Sequence, residues 1–333
     1  MSPMKGLELS RRYFETYGLP MIRQLQQSYP ELNGEFAAGL AGQGSECLGF
    51  DDEYSTDHDF GPSFCIWLRR PVYEKYGDIC RRAYEALPGE FLGFPARKVM
   101  PQAQDRVGIL CAETFYQSLL GIENAPDANR DWLFLSESAL ACACSGEVFL
   151  DENGYFTEFR TVLKKGYPED IRKKKIAARA ALMAQTGQYN YSRLCRRKEW
   201  TGASIALHEF IQQTCSMVHL LNYSYTPFYK WMHRSLKEVA VLPQIYELLD
   251  QLTMDSDMRG AWENADPSGF LYGFLNTADN KAVLIETICQ LVIRELVRQG
   301  LSDVQDMYLE PHAYSVMEKI EDPVIAGLPL MYG

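Results

Sequence analysis

Beyond Tyr167-Pro168 the chain changes texture, and that change limits its fold more than any other feature of its 333 residues. Long apolar patterns of period 3.6 fill the C-terminal half, at about 169–185, 201–221, 226–238, 243–254 and 281–299, the last stopped by Gly300. Before that point, short apolar runs alternate with helical stretches. A helix is expected from about Leu7 to Gln27, and Phe36 to Leu40 reads as a short strand leading into Gly42 and Gly44. Ser63 to Leu68 reads as extended after the break at Gly61-Pro62. Pro71 opens a helix to about Leu87, at a position where its missing N–H has no partner to lose. Val107 to Cys111 is an expected buried strand, followed by a short helix closing at Gly121. Val148 to Leu150 and Tyr155 to Phe159, joined through Asn153-Gly154, read as a hairpin because Asn-Gly supplies the positive φ angles of a tight turn. The expected fold class is therefore α+β: a mixed sheet with flanking helices over 1–165, then an all-α bundle over 166–333.

Composition removes several function classes. With 47% hydrophobic and 23% charged residues the chain has enough apolar material for a real core. No run approaches the roughly 18 uncharged apolar residues of a membrane span; even Val283 to Leu301 carries Glu286, Arg294, Glu295 and Arg298. The opening MSPMKGLELSRRYF lacks the apolar core of a secretory leader, so the expected location is cytoplasmic, with no membrane partner. Nine cysteines, an odd number lying mostly in apolar segments without a CxxC, read as reduced core thiols. The net charge of −11 disfavours a general affinity for nucleic acid. Residues 160–199 run against that trend, with twelve Lys or Arg against three acids. They are either a solvated basic helix or a positive wall for a triphosphate or an anionic acceptor; nucleic acid is possible through this segment but not favoured.

The most specific string is GQGSECLGFDDEYSTDHDFGP at 42–62. Asp57 and Asp59, two apart on an extended segment, point to one face and are spaced to hold divalent cations between and in front of them. His58 alternates to the opposite face and reads as a packing residue. The Gly44-Ser45 turn upstream can bring backbone N–H groups and a hydroxyl against phosphate oxygens. This pattern resembles the signature of the DNA polymerase beta-type nucleotidyltransferase superfamily. The longer string, with Glu46, Gly49, Asp51, Ser55 and Asp57-His58-Asp59-Phe60-Gly61-Pro62, is similar to a bacterial branch of it catalogued as a domain of unknown function. EVFLDENGYFTEFR at 147–160, YPEDIRKKKIA at 167–177 and NYSYTPFYKW at 222–231 extend the resemblance over most of the chain.

The resemblance implies a nucleotidyltransferase-fold domain over 1–165, a helical substrate- or nucleotide-binding domain over 166–333, and transfer of an NMP from a metal-bound NTP, with ATP the expected donor and AMP the expected group. The acceptor would be a hydroxyl or amine of a small molecule. Asp57 and Asp59 would be the catalytic metal ligands for Mg2+ or Mn2+, while Gly44 and Ser45 would hold the β or γ phosphate. A third carboxylate is usual in that superfamily, but the strand expected to carry it, Val107 to Cys111, contains none. Glu113 is preferred, with Asp105, Glu158, Glu46 and Asp51 as alternatives. In the helical part Lys230, beside Trp231, Asn222 and Tyr225, is a candidate nucleotide-binding residue. Two alternatives stand beside this reading: the same chemistry on a protein or RNA acceptor, and a nucleotide-binding regulator with weak catalysis. No GxxxxGK[ST] loop, GxSxG elbow or HExxH helix is present.

Overall fold

The computed structural model describes residues 4–56, 60–97, 106–257, 259–263, 265–271 and 275–333. The fold is α+β, and the chain divides into two units: Met1–Pro126 with Leu135–Lys165, and Asp127–Phe134 with Gly166–Gly333.

In the first unit, α1 (Gly6–Tyr13) passes through a π-helical turn at Phe14–Gly18 into α2 (Leu19–Ser28), so the helix read over 7–27 forms with one widened turn. Next come β1 (Ala37–Ala41), α3 (Ser45–Leu48), β2 (Cys65–Leu68), α4 (Arg70–Glu85), β3 (Gly108–Cys111) and α5 (Ala112–Leu120). After α6 (Asn129–Leu133), which belongs to the second unit, the chain returns as α7 (Glu137–Cys144), β4 (Gly146–Asp151) and α8 (Tyr155–Lys164). The strands lie in the order β3-β2-β1-β4, with β2 and β3 parallel and the other pairs antiparallel.

The two central strands are buried at every residue, as their unbroken apolar sequences require. Ala38, Phe64, Ile66 and Leu68 meet Phe14, Ile22, Leu25 and Tyr76 from α2, α4 and the π turn. On the opposite face Trp67 stacks on Phe156 of α8 at 3.9 Å, and Tyr116 of α5 stacks on Phe159 at 3.8 Å.

The hairpin expected over 148–159 does not form. Gly154 takes a positive φ of 75° but Asn153 does not; instead Asn153 Oδ1 accepts from the Tyr155 N–H and Asp151 Oδ2 from the Thr157 N–H, which starts a helix. Phe156, Arg160 and Leu163 are then buried at spacings of four and three, a helical stripe that period-two alternation would break.

The second unit is helical throughout its described residues apart from one isolated bridge between Leu271 and Leu275 and connecting loops. Besides α6, its elements are α9 (Glu169–Met183), a π-helical segment Ala184–Tyr191, α10 (Ser192–Arg196), α11 (Trp200–Leu221), α12 (Tyr229–Met232), α13 (Ile245–Met254), α14 (Gly260–Glu263), α15 (Asn280–Arg298), α16 (Leu309–Glu318) and α17 (Pro323–Ala326). The pattern read as one helix over 226–238 is broken: α12 is a single turn and Arg234–Glu238 is 3-10. No helix among the described residues is long and apolar enough to cross a membrane.

Helix α9 is the axis of this unit, packed by α11, α16 and α17. That position corrects the readings for part of the basic segment, while Lys164, Lys165, Arg193, Arg196, Arg197 and Lys198 are exposed. Arg172, Lys174 and Lys175 are buried, as is Arg160 in the first unit, so they form neither a solvated face nor a positive wall. Arg172 is held by Glu169, the Leu220 carbonyl and the Tyr223 ring. Lys174 Nζ donates to the Pro329 and Leu330 carbonyls at 2.6 and 3.1 Å, and Lys173 Nζ to the Lys319 carbonyl at 2.7 Å.

Candidate functional site

The register of the sheet gives the first unit two ends. Ala37 pairs with Trp67 and Asp151, while Ala41 pairs with Gly146 and Gly39 with Cys65. The bend after β1 therefore lies at the end where β2, β3 and β4 begin.

At this end the backbone turns through Gly42 (φ 104°) and Gly44 (φ 132°), conformations that side chains rarely permit. Ser145 Oγ fixes the turn by donating to the Gly42 carbonyl at 2.7 Å. Gln43 is exposed and Ser45 half-exposed at the start of α3. The Ser45 hydroxyl bonds no group among the described residues, while its carbonyl accepts from the Phe50 N–H at 2.8 Å. Behind the bend Glu46 pairs with Arg97 at 2.7 Å, both about 6% exposed, and Arg97 Nη1 donates to Ser63 Oγ at 3.1 Å. Asp51 accepts from the Gly6 N–H at 2.8 Å and pairs with Lys5 at 3.4 Å, which fastens the start of α1. Arg106 Nη2 reaches Gln43 Oε1 at 3.4 Å. Glu46 and Asp51, read as alternative third acids, are thus occupied in holding the bend and its surroundings.

Asp57, His58, Asp59 and Asp105 lie outside the described residues. Among the described residues no group of three or more His, Cys, Asp or Glu could hold a metal ion.

Glu113 stands at the opposite end of the sheet from Gly44 and Ser45. It follows β3, at the end where β2 runs into α4, and with strands of four to five residues rising about 3.3 Å each the separation is on the order of 15 Å or more. Its carboxylate accepts from the Arg70 N–H at 3.0 Å and from Tyr155 Oη at 3.0 Å, with Cys111 Sγ at 3.1 Å. Burial works to raise its pKa, but these hydrogen bonds together outweigh burial and hold the carboxyl below its ordinary range. Burial, with Glu113 alongside, pushes the Tyr155 hydroxyl up to about 12. Arg69 stacks on the Tyr155 ring and forks onto Glu35 with two bonds of 2.7 Å. Glu113 therefore caps α4 and does not join the phosphate-binding candidates. Glu158, exposed in the first turn of α8, lies at the same far end.

In the second unit Lys230 is exposed on α12, 5.0 Å from the Trp231 ring, which also carries Arg234 at 5.5 Å. Asn222 is spent on the backbone, giving to the Val218 and Val241 carbonyls and accepting from the Val241 N–H, and Tyr225 packs edge-on against Tyr167. Arg97 and Arg106, which the structure adds to the bend, carry no signal in the sequence: each is a single basic residue outside any periodic pattern.

No curated protein matches the chain at a significant level. Among solved structures it is similar to a nucleotidyltransferase-like protein from Exiguobacterium sibiricum 255-15, at 13% identity over 84% of this chain and 77% of that one, with a TM-score of 0.34. Residues 132–232 match the model of a family described as a domain of unknown function (DUF4037).

Proposed function

We propose that the protein is a nucleotidyltransferase that moves an NMP, AMP first among the candidates, from a metal-bound NTP to a hydroxyl or amine of a small-molecule acceptor. One observation carries the reading: a Gly-Gln-Gly-Ser bend in which Gln43 is exposed and Ser45 half-exposed, with a Ser45 hydroxyl that bonds no group among the described residues, at the sheet end where β1 stops and β2 starts. Gly42 and Gly44 let phosphate oxygens approach the backbone, and Ser45 Oγ donates to one of them.

Two carboxylates at alternate residues form a hard oxygen donor set suited to Mg2+ or Mn2+, which would acidify the acceptor and offset the charge on departing pyrophosphate. Asp57 and Asp59 would be its ligands. The third acid of this proposal is Asp105. In sequence it directly precedes Arg106, which reaches the bend, whereas Glu113 is bound at the far end. Asp105 would take the acceptor's proton as general base. Lys230 is proposed to steady the nucleotide through its charge.

The test is transfer of label from an α-labelled NTP to an acceptor panel, with pyrophosphate release measured alongside. Asp57→Asn and Asp59→Asn should each cost on the order of a thousandfold in rate, the scale expected when charge stabilisation in a transition state is lost. Ser45→Ala should raise the KM for NTP about tenfold through one lost charge-assisted hydrogen bond. Transfer that persists with both aspartates replaced overturns the proposal.

A further inference from the structure

Aromatic residues stand side by side four times in the sequence, and three of those pairs serve the core. Tyr13-Phe14, Phe115-Tyr116 and Tyr155-Phe156 each bury at least one ring. Phe228-Tyr229 buries neither: its members are 52% and 70% exposed, at the start of α12. The two rings lie against each other, with centroids 4.4 Å apart and planes tilted by 51°. Their remaining faces are open to solvent. Apolar faces gathered in one exposed place mark a contact surface, whereas scattered ones do not.

The charge beside this pair has one sign. Residues 222–237 hold Lys230, Arg234 and Lys237 and no Asp or Glu, in a chain whose net charge is −11. Lys230 and Arg234 both stand against the Trp231 ring, and Lys237 Nζ is 4.7 Å from the centre of the Tyr246 ring. Rings and cations interleaved in this way attract a ligand that is flat and negative. The groups that could read the edge of a base are taken. Asn222 is committed to the Val218 and Val241 backbone, while His233 stacks on Tyr246 with its Nε2 3.0 Å from the Tyr246 carbonyl oxygen. One turn of helix offers a platform for a single base, and the negative charge of the chain as a whole opposes a longer strand.

We infer that Phe228 and Tyr229 form the stacking platform for the base of a purine nucleotide, with Lys230 beside them as the counter-charge to its phosphates. The inference rests on the nucleotide role proposed above for Lys230 and adds to it the class of base. Purines are preferred to pyrimidines because two fused rings cover more of the aromatic surface, and adenine and guanine are treated alike because stacking does not read their edges. All of these residues belong to the second unit.

The full-length protein should be titrated calorimetrically, with Mg2+ present, with the α,β-methylene analogues of ATP, GTP, CTP and UTP, whose bridging carbon prevents transfer. The ATP and GTP analogues should bind within about twofold of each other and at least about fivefold tighter than the other two. Phe228→Leu and Tyr229→Leu, both at exposed positions, should each weaken the ATP analogue about tenfold, the loss of one stacked ring, and bring the purine preference close to one. Lys230→Gln should weaken all four analogues by the same factor, because it removes charge and no ring. Equal affinity for the four analogues, or a purine preference that survives both leucine variants, overturns the platform and leaves the transferase reading standing. Failure of every analogue to bind overturns both.

Discussion

Arg160 and Lys174 show how a basic residue can be a core residue. Arg160 is 3% exposed and gives four hydrogen bonds of 2.6 to 2.8 Å to the carbonyls of Ala143, Cys144, Ser145 and Gly146, which closes the end of α7 and starts β4. Replacing it by Met leaves those acceptors buried and unpaired, so Arg160→Met should lose about 2 to 4 kcal/mol in urea unfolding. Lys174 is likewise enclosed by carbonyls, and burial brings its ammonium from 10.5 down to about 8. Because the unfolded chain still binds that proton between about pH 8 and 10.5, the lysine's contribution to stability grows as pH rises through this window. The stability of wild type relative to Lys174→Met should therefore increase from pH 8 to 10.5; a difference that stays flat or falls would contradict the burial argument. Neither residue betrays its place in the sequence, since a Lys or Arg on a periodic helix reads the same whether its head group reaches water or a ring of carbonyls.

At the scale of elements, the strands and their order of appearance were legible, because Ala37–Ala41 and Cys65–Leu68 are apolar without alternation and only a doubly covered sheet uses such runs. The helix over 155–164 was not. Asn153-Gly154 permits a hairpin and a helix start alike, and the choice was made by Phe156, Arg160 and Leu163 finding α5, α7 and the sheet beneath them. Close approach is equally invisible. Gly146, at φ 71°, lies so near β1 that a Cβ would stand 2.0 Å from the Leu40 carbonyl oxygen. Gly146→Ala should then part β4 from β1 and cost about 2 to 3 kcal/mol or more, seen as a lower Tm and faster amide exchange in β1. The bend residues Gly42, Gly44 and Ser45 were readable as a motif, whereas the place of Glu113 was not, because adjacency to a strand in sequence does not say at which end of the sheet a residue emerges.

For the whole molecule, the net charge of −11 and the interior position of Arg172, Lys174 and Lys175 bear on the RNA-acceptor alternative together. Binding to single-stranded RNA should be weak and its salt dependence shallow, well short of the slope of about −0.7 per neutralised phosphate, as measured by fluorescence anisotropy from 50 to 200 mM salt. Changing Lys173, Lys174 and Lys175 together should unfold the helical unit before it alters any such binding. The same lysine has a consequence for biosynthesis. Lys174 is satisfied by carbonyls of residues 328–330, more than 150 positions later. A nascent chain leaving the ribosome thus exposes α9 with its interior ammonium still hydrated until residues 328–330 have emerged. Stalled products halted before that stretch should be held open, sensitive to proteases and attractive to chaperones.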